Sequence, residues 1–214
     1  MRRRIAGPGA RWRQKRRATE WGLLLTGLML ATGGCSLWGQ RAYQAGASVR
    51  PGRYDGLAHH RVAVLIYCNS ATSFQYPQAR REVSSFVAAQ LARELPTARL
   101  LDYHVMLAYQ DHTSNWQMLP VKAIGKHFSV DRVLYIELTS YRFHARGANN
   151  LLRGDISANV YVYDTHVGGS GRVFSTRIEA HWPKHGPEAG FDADLDMVRM
   201  NTLDRFSREL GRCF

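Results

Sequence analysis

The sequence predicts an α/β fold: a mixed β-sheet with helices packed on it, in the order β-α-β-α-α-β-β-β-α. Three observations lead there. Residues 61–67 (RVAVLIY) form a short, nearly continuous β-branched apolar run, the pattern of a strand buried on both faces. Residues 78–95 carry apolar side chains at helical spacing. Three segments after residue 131 alternate apolar and polar residues, as strands covered on one face do. An α/β half followed by an antiparallel meander makes a mixed sheet.

The elements follow in order. After the 61–67 strand, 69–76 reads as polar loop, and Pro77 suits a first helical turn. The 78–95 helix has Val83, Phe86, Val87, Gln90, Leu91 and Leu95 on one face. Arg80, Arg81, Glu82, Arg93 and Glu94 lie on the polar side, and Pro96 stops the helix. Residues 99–101 give a brief second strand. Residues 103–109 give a helix with Val105, Met106 and Tyr109 as its apolar side. Pro120 opens a short helix over 119–128. Residues 132–143, 154–164 and 171–182 are the three long strands; Ile156, Ala158, Val160 and Val162 share one face of the second. Residues 145–152 connect the first pair, and the glycine-rich stretch 166–171 turns between the last two. After a loop over 183–190, residues 191–210 close the chain as a helix with Leu195, Val198, Met200, Leu203, Phe206 and Leu210 as apolar positions.

The N-terminal region has a different composition. Residues 1–34 hold eight basic side chains against the single acid Glu20. An apolar run over 21–32 follows, shorter than the roughly 20 residues of a spanning helix. Gly33, Gly34 and Cys35 end it. The stretch WGLLLTGLMLATGGC resembles the lipobox of bacterial lipoproteins, with Thr32 where leucine is usual and Leu30 close by. That resemblance implies a signal peptide over 1–34 and a lipidated Cys35 of the palmitate-bearing kind. A secretory signal cleaved elsewhere and an uncleaved anchor are the alternatives. Residues 35–58 mix Gly, Ala, Gln and Arg without periodicity and read as a flexible tether, spanning about 25–30 Å as a coil. Residues 59–214 then form one domain facing the periplasm.

The leader changes the meaning of the charge. Of the formal +12, the leader carries +7, so the mature chain keeps +5. The basic excess is therefore no argument for nucleic acid. The chain has three cysteines. With Cys35 acylated in an exported protein, Cys68 and Cys213 are a candidate disulfide, or else two separately buried thiols.

Two further blocks carry a family resemblance. RVAVLIY opens the domain, and IGKHFSVDRVLYIELTSYRF precedes VYVYDTHVGGSGRVFSTRIEAHWP. Gly125, Asp131, Val133 and Leu134, then Tyr163, Asp164, Phe174 and Ser175, are the matching positions. Over residues 60–182 the chain resembles envelope lipoproteins related to the curli-secretion lipoprotein, the penicillin-binding-protein activator of the B type and the N-terminal domain of TolB. It departs from them at Ile136-Glu137 and at Ile66-Tyr67. The resemblance implies a periplasm-facing, lipid-anchored, non-enzymatic domain that binds other envelope proteins; a homo-oligomer is a separate expectation for its partner.

Candidate contact residues are Trp116, which in the polar stretch DHTSNWQ either plugs the core edge or anchors a partner, and Tyr141, Arg142 and Phe143, a basic-aromatic strand end that is otherwise an ordinary sheet edge. No metal site or cofactor is expected. Asp192, Asp194 and Asp196 open like a calcium loop, but Met197 and Leu203 stand where it needs Gly and Glu, so they read as first-turn acids of the last helix. Pro183 separates His181 from His185. No G-x-S-x-G motif occurs, and Glu137 reads as a strand acid on a solvated face or opposite Arg153 or Arg177. The competing functions are an outer-membrane secretion pore, which needs hairpins longer than 145–152 allows, and a cell-wall-binding or hydrolytic enzyme.

Overall fold

A computed structural model describes residues 54–145, 147–186, 188–189 and 194–214. The leader, Cys35, the tether up to residue 53 and Asp192 lie outside the described residues. The elements are β1 (Arg61–Cys68), α1 (Ser70–Gln75), α2 (Ala79–Glu94), β2 (Arg99–Leu100), α3 (Tyr103–His112), a 3-10 turn (Trp116–Met118), α4 (Val121–His127), β3 (Arg132–Ala145), β4 (Ala148–Asp164), β5 (Arg172–Trp182), β6 (Glu188–Ala189) and α5 (Leu195–Gly211). The sheet runs β2-β1-β3-β4-β5, with β6 pairing β4. β1 is parallel to β2 and β3, while β4 is antiparallel to β3 and β5. The mixed α/β sheet expected from the sequence is the observed architecture.

The continuous apolar run of β1 is explained by its place. It lies between β2 and β3, and its two faces feed two cores. Val62, Val64 and Ile66 join Leu134, Ile136, Val160 and Val162 beneath α2 and α5. Ala63 and Leu65 join Val133, Met106, Ile124 and Trp116 beneath α3 and α4. Ile156, Ala158, Val160 and Val162 are all fully buried on one face of β4, as their alternation predicts. Val83, Val87, Gln90 and Leu91 form the buried face of α2. At the other end of that sheet face, α5 approaches β4 so closely that a Cβ on Gly154 would lie 1.7 Å from Thr202 Oγ1.

Several boundaries differ from expectation. The loop expected over 69–76 contains α1, which buries no residue; it forms because the Asn69 side chain accepts the Thr72 N–H at 2.8 Å. In α3 the inward residues are Met106, Leu107 and Gln110, while Val105 is exposed. In α5 the buried stripe is Val198, Thr202, Leu203, Phe206 and Leu210, and Leu195 and Met200 face out. That helix starts later than expected, at a cap where Asp194 accepts the Asp196 N–H at 2.8 Å. The segment 145–152 is mostly strand: pairing runs on to Ala145 and Ala148, and the intervening turn holds Gly147 at φ 77.

The last residues assigned to the tether belong to the folded body. Leu57 is fully buried. The Tyr54 N–H donates to the Cys213 carbonyl at 2.7 Å, and the Tyr54 ring stacks on Phe174 at 5.0 Å. Gly56 offers its carbonyl to Arg132 Nε at 3.2 Å. The boundary therefore moves from residue 59 to Tyr54 at the latest, because a chain with one buried anchor and three specific contacts is not a free coil. Among the described residues, no helix is long and apolar enough to cross a membrane.

Candidate functional site

The expected contact residues Tyr141, Arg142 and Phe143 lie on β3, past a break in its regularity. Leu134, Ile136 and Leu138 point into the core at even positions. The β3–β4 register shifts between Leu138 and Ser140. A bulge inserts one residue and reverses the parity beyond it, so the odd residues Tyr141 and Phe143 point inward. Both are buried. With Tyr76 they form a three-ring cluster, with centroids 5.3 Å (Tyr76 to Tyr141), 5.7 Å (Tyr76 to Phe143) and 4.9 Å (Tyr141 to Phe143) apart. Arg142 turns to the other face and pairs with Asp155 at 2.6 Å, its cross-strand neighbour. Tyr141 and Phe143 are thus core residues in place of the contact residues expected, and Arg142 is held by an ion pair.

The Tyr141 hydroxyl donates to Glu82 on α2, and the same carboxylate meets Arg199 of α5 at 3.6 Å. Arg199 also pairs with Asp196 at 2.9 Å. Burial, and then the Glu82 hydrogen bond, push the Tyr141 phenol well above its ordinary range. A small cavity of about 220 Å³ opens beside this network, walled by Tyr76, Glu82, Phe143, His144, Leu195 and Arg199. It has room for one ring or short side chain, but its guanidinium is already neutralised by two acids.

Trp116 is also a core residue. It is 7 % exposed and meets Tyr67 edge-on at 6.2 Å in the core beneath α3 and α4. Asn115, in the left-handed conformation at φ 58, turns the chain so that the indole points inward. The polar neighbours that suggested a surface anchor are the end of α3, the link after it and the exposed Gln117 of the 3-10 turn.

Cys68 and Cys213 are free thiols, which corrects the candidate disulfide. Cys68 ends β1, whereas the Cys213 carbonyl accepts from Tyr54, whose ring stacks on Phe174 of β5, three strands away from β1. Burial pushes the Cys68 thiol up to about 11 and also raises Cys213. Both are poor nucleophiles.

Of the residues in the family-like blocks, Gly125, Asp131, Val133 and Asp164 meet at one corner, and their contacts there hold the fold. Asp131 accepts the Arg61 N–H at 2.9 Å and lies 3.2 Å from His166 Nε2 and 3.8 Å from His60 Nδ1. The Arg61 N–H and then His166 hold its carboxyl below the usual range. Asp164 pairs with Arg132 at 2.6 Å and accepts the His166 N–H at 2.8 Å. Gly125 sits where a Cβ would come within 2.6 Å of Thr165 and 2.7 Å of Val133. These residues fasten α4 and the 164–171 turn to the start of β1 and β3. Glu137 accepts from Asn159 Nδ2 at 3.2 Å, and Arg177 pairs instead with Glu179 at 2.8 Å. Among the described residues, no three His, Cys, Asp or Glu side chains converge to hold a metal ion.

No protein-family model matches the chain, and no curated protein matches it. Several solved structures are similar to it. One is the dodecamer of a single-residue variant of PelC from Paraburkholderia phytofirmans, at 13% identity and a TM-score of 0.41, covering 75% of this chain and 93% of that one. Another is the lipoprotein GNA1162 from Neisseria meningitidis, at 16% identity and a TM-score of 0.41, covering 69% and 98%. A third is the hypothetical protein CT253 from Chlamydia trachomatis, at 13% identity and a TM-score of 0.38, covering 71% and 95%.

Proposed function

We propose that this chain is a lipid-anchored bacterial envelope protein that acts by protein–protein contact, as a non-enzymatic accessory or assembly factor. The observation that carries the reading is the stretch WGLLLTGLMLATGGC behind a leader of eight bases. The leader is too basic to cross an energised membrane, the apolar run too short to span it, and Gly33-Gly34-Cys35 offers an extended backbone and a thiol for acylation. Ser36, rather than Asp, follows the cysteine and favours the outer membrane, with the domain facing the periplasm.

The body supports a contact role. Its conspicuous polar side chains are committed to the fold: Asp131 and Asp164 to the corner, Glu82 to Tyr141 and Arg199, Asp155 to Arg142. Both thiols of the body are suppressed by burial. The test is Cys35→Ala in cells. The wild-type chain should sediment with membranes and resist carbonate extraction, and the variant should lose that resistance while its body keeps the native circular-dichroism spectrum. A variant that stays membrane-bound contradicts the anchor.

A further inference from the structure

β5 is the long unpaired sheet edge among the described residues; β2, at the other edge, has two residues. Nine consecutive pairs, from Gly154 with Trp182 to Val162 with Phe174, hold β5 regularly against β4. On its outer side, alternate residues direct N–H and C=O groups away from the sheet. Edges of this length are ordinarily blunted by charged side chains, lysine above all, by proline or by a bulge. Between Phe174 and Trp182, β5 has no proline, no lysine and no register shift.

Two charges mark this edge. Arg177 and Glu179 flank Ile178, are both exposed, and share the face opposite the α5-covered core. We propose that β5 pairs antiparallel with β5 of a second copy about a two-fold axis at Ile178, joining two sheets into one. Arg177 of each copy then stands opposite Glu179 of the other, Thr176 opposite Ala180, and Phe174 opposite Trp182. The neighbouring registers fail. An axis at Arg177 places arginine opposite arginine, and an axis at Glu179 places glutamate opposite glutamate. An axis between two residues sets the core face of one sheet against the solvent face of the other. Among these registers the Ile178 one satisfies both the charges and the faces and sets each arginine against a glutamate, and such self-complementarity defines a closed two-fold contact.

α5 packs over β4 and β5 and covers the core face beside this edge.

The test uses the full chain in its own membrane. Two differently tagged copies are expressed together, one with Arg177→Cys and one with Glu179→Cys, and oxidised with copper phenanthroline. A cross-link carrying both tags is expected, because opposed Cβ atoms lie about 4.5–5.5 Å apart. Ser175→Cys in both copies should give none, since the two positions would be six residues out of register, about 20 Å. Co-purification of the tags should fall roughly tenfold in Arg177→Glu or Glu179→Arg and return in the double swap. Absence of the doubly tagged cross-link between the Arg177→Cys and Glu179→Cys copies, or a double swap that fails to restore co-purification, overturns the proposal; so does a different protein cross-linked at β5 in place of a second copy.

Discussion

The hydroxyl of Tyr141 donates to the carboxylate of Glu82. That bond ties the far half of β3 to α2, and Arg199 on the same carboxylate brings in α5. Tyr141→Phe removes the donor and keeps the ring. The variant should lose about 1–2 kcal/mol of stability, measured by urea unfolding with an unchanged m-value.

Alkaline pH should weaken the fold. Tyr135, Tyr141 and Tyr161 are each held above the ordinary phenol value of 10.0, burial being the first cause. A raised folded pKa contributes stability that is complete below the unfolded value and is lost as pH rises through the folded one. The urea midpoint should therefore hold steady to about pH 10 and fall beyond it, and less steeply in Tyr141→Phe.

Acid pH probes the corner. Asp131 is held below its ordinary value of 3.8, chiefly by the Arg61 N–H. Its contribution is present above that value and disappears as pH falls through the folded one. The wild-type advantage over Asp131→Asn in urea midpoint should be measurable near neutrality and vanish at about pH 2. The carboxyl is partly exposed, so the advantage at neutrality is small.

The approach of α5 to β4 depends on Gly154. A Cβ there meets Thr202 Oγ1 at 1.7 Å and Thr202 Cβ at 2.7 Å, and Thr202 is fully buried. Gly154→Ala should cost about 1–3 kcal/mol or more. Adding Thr202→Ala should recover part of it, because Oγ1, the nearest clash atom, leaves while Cβ stays. A double-mutant cycle on urea unfolding reads this coupling.

How far the sequence was legible follows from the physics of each segment. β1, α2 and the buried face of β4 are plain because period and burial coincide there. The contact residues were misplaced because a bulge between Leu138 and Ser140 reverses the strand parity, and no residue between them announces it. Trp116 stood open between core and contact because its neighbours are polar, and its backbone turns inward at Asn115 to make it core. α1 lacks any apolar stripe and rests on the Asn69 cap, a signal that was present in the sequence. Leu57 is a single apolar residue in a polar stretch, and only the tertiary fold buries it. The pairing of Cys68 with Cys213 depended on topology: that one ends β1 while the other follows α5 and bonds Tyr54 is invisible to spacing. Asp131 and Asp164 stand out in the sequence as acids beside strands, and the structure gives them a fold-holding role at one corner.

Thiol chemistry should follow the same topology. Ellman's reagent at about pH 8 should react slowly with Cys68 and Cys213 in the native protein and release both thiols at once in denaturant. Non-reducing electrophoresis of freshly extracted protein should show no internal cross-link.

The central claim, that this α/β body is tethered by lipid at Cys35, is tested most directly by intact-mass analysis of the membrane-extracted protein. The account predicts a chain beginning at Cys35 that carries the added mass of a diacylglyceryl group and an acyl chain. A mass that starts at any other residue, or an unmodified Cys35, would contradict it.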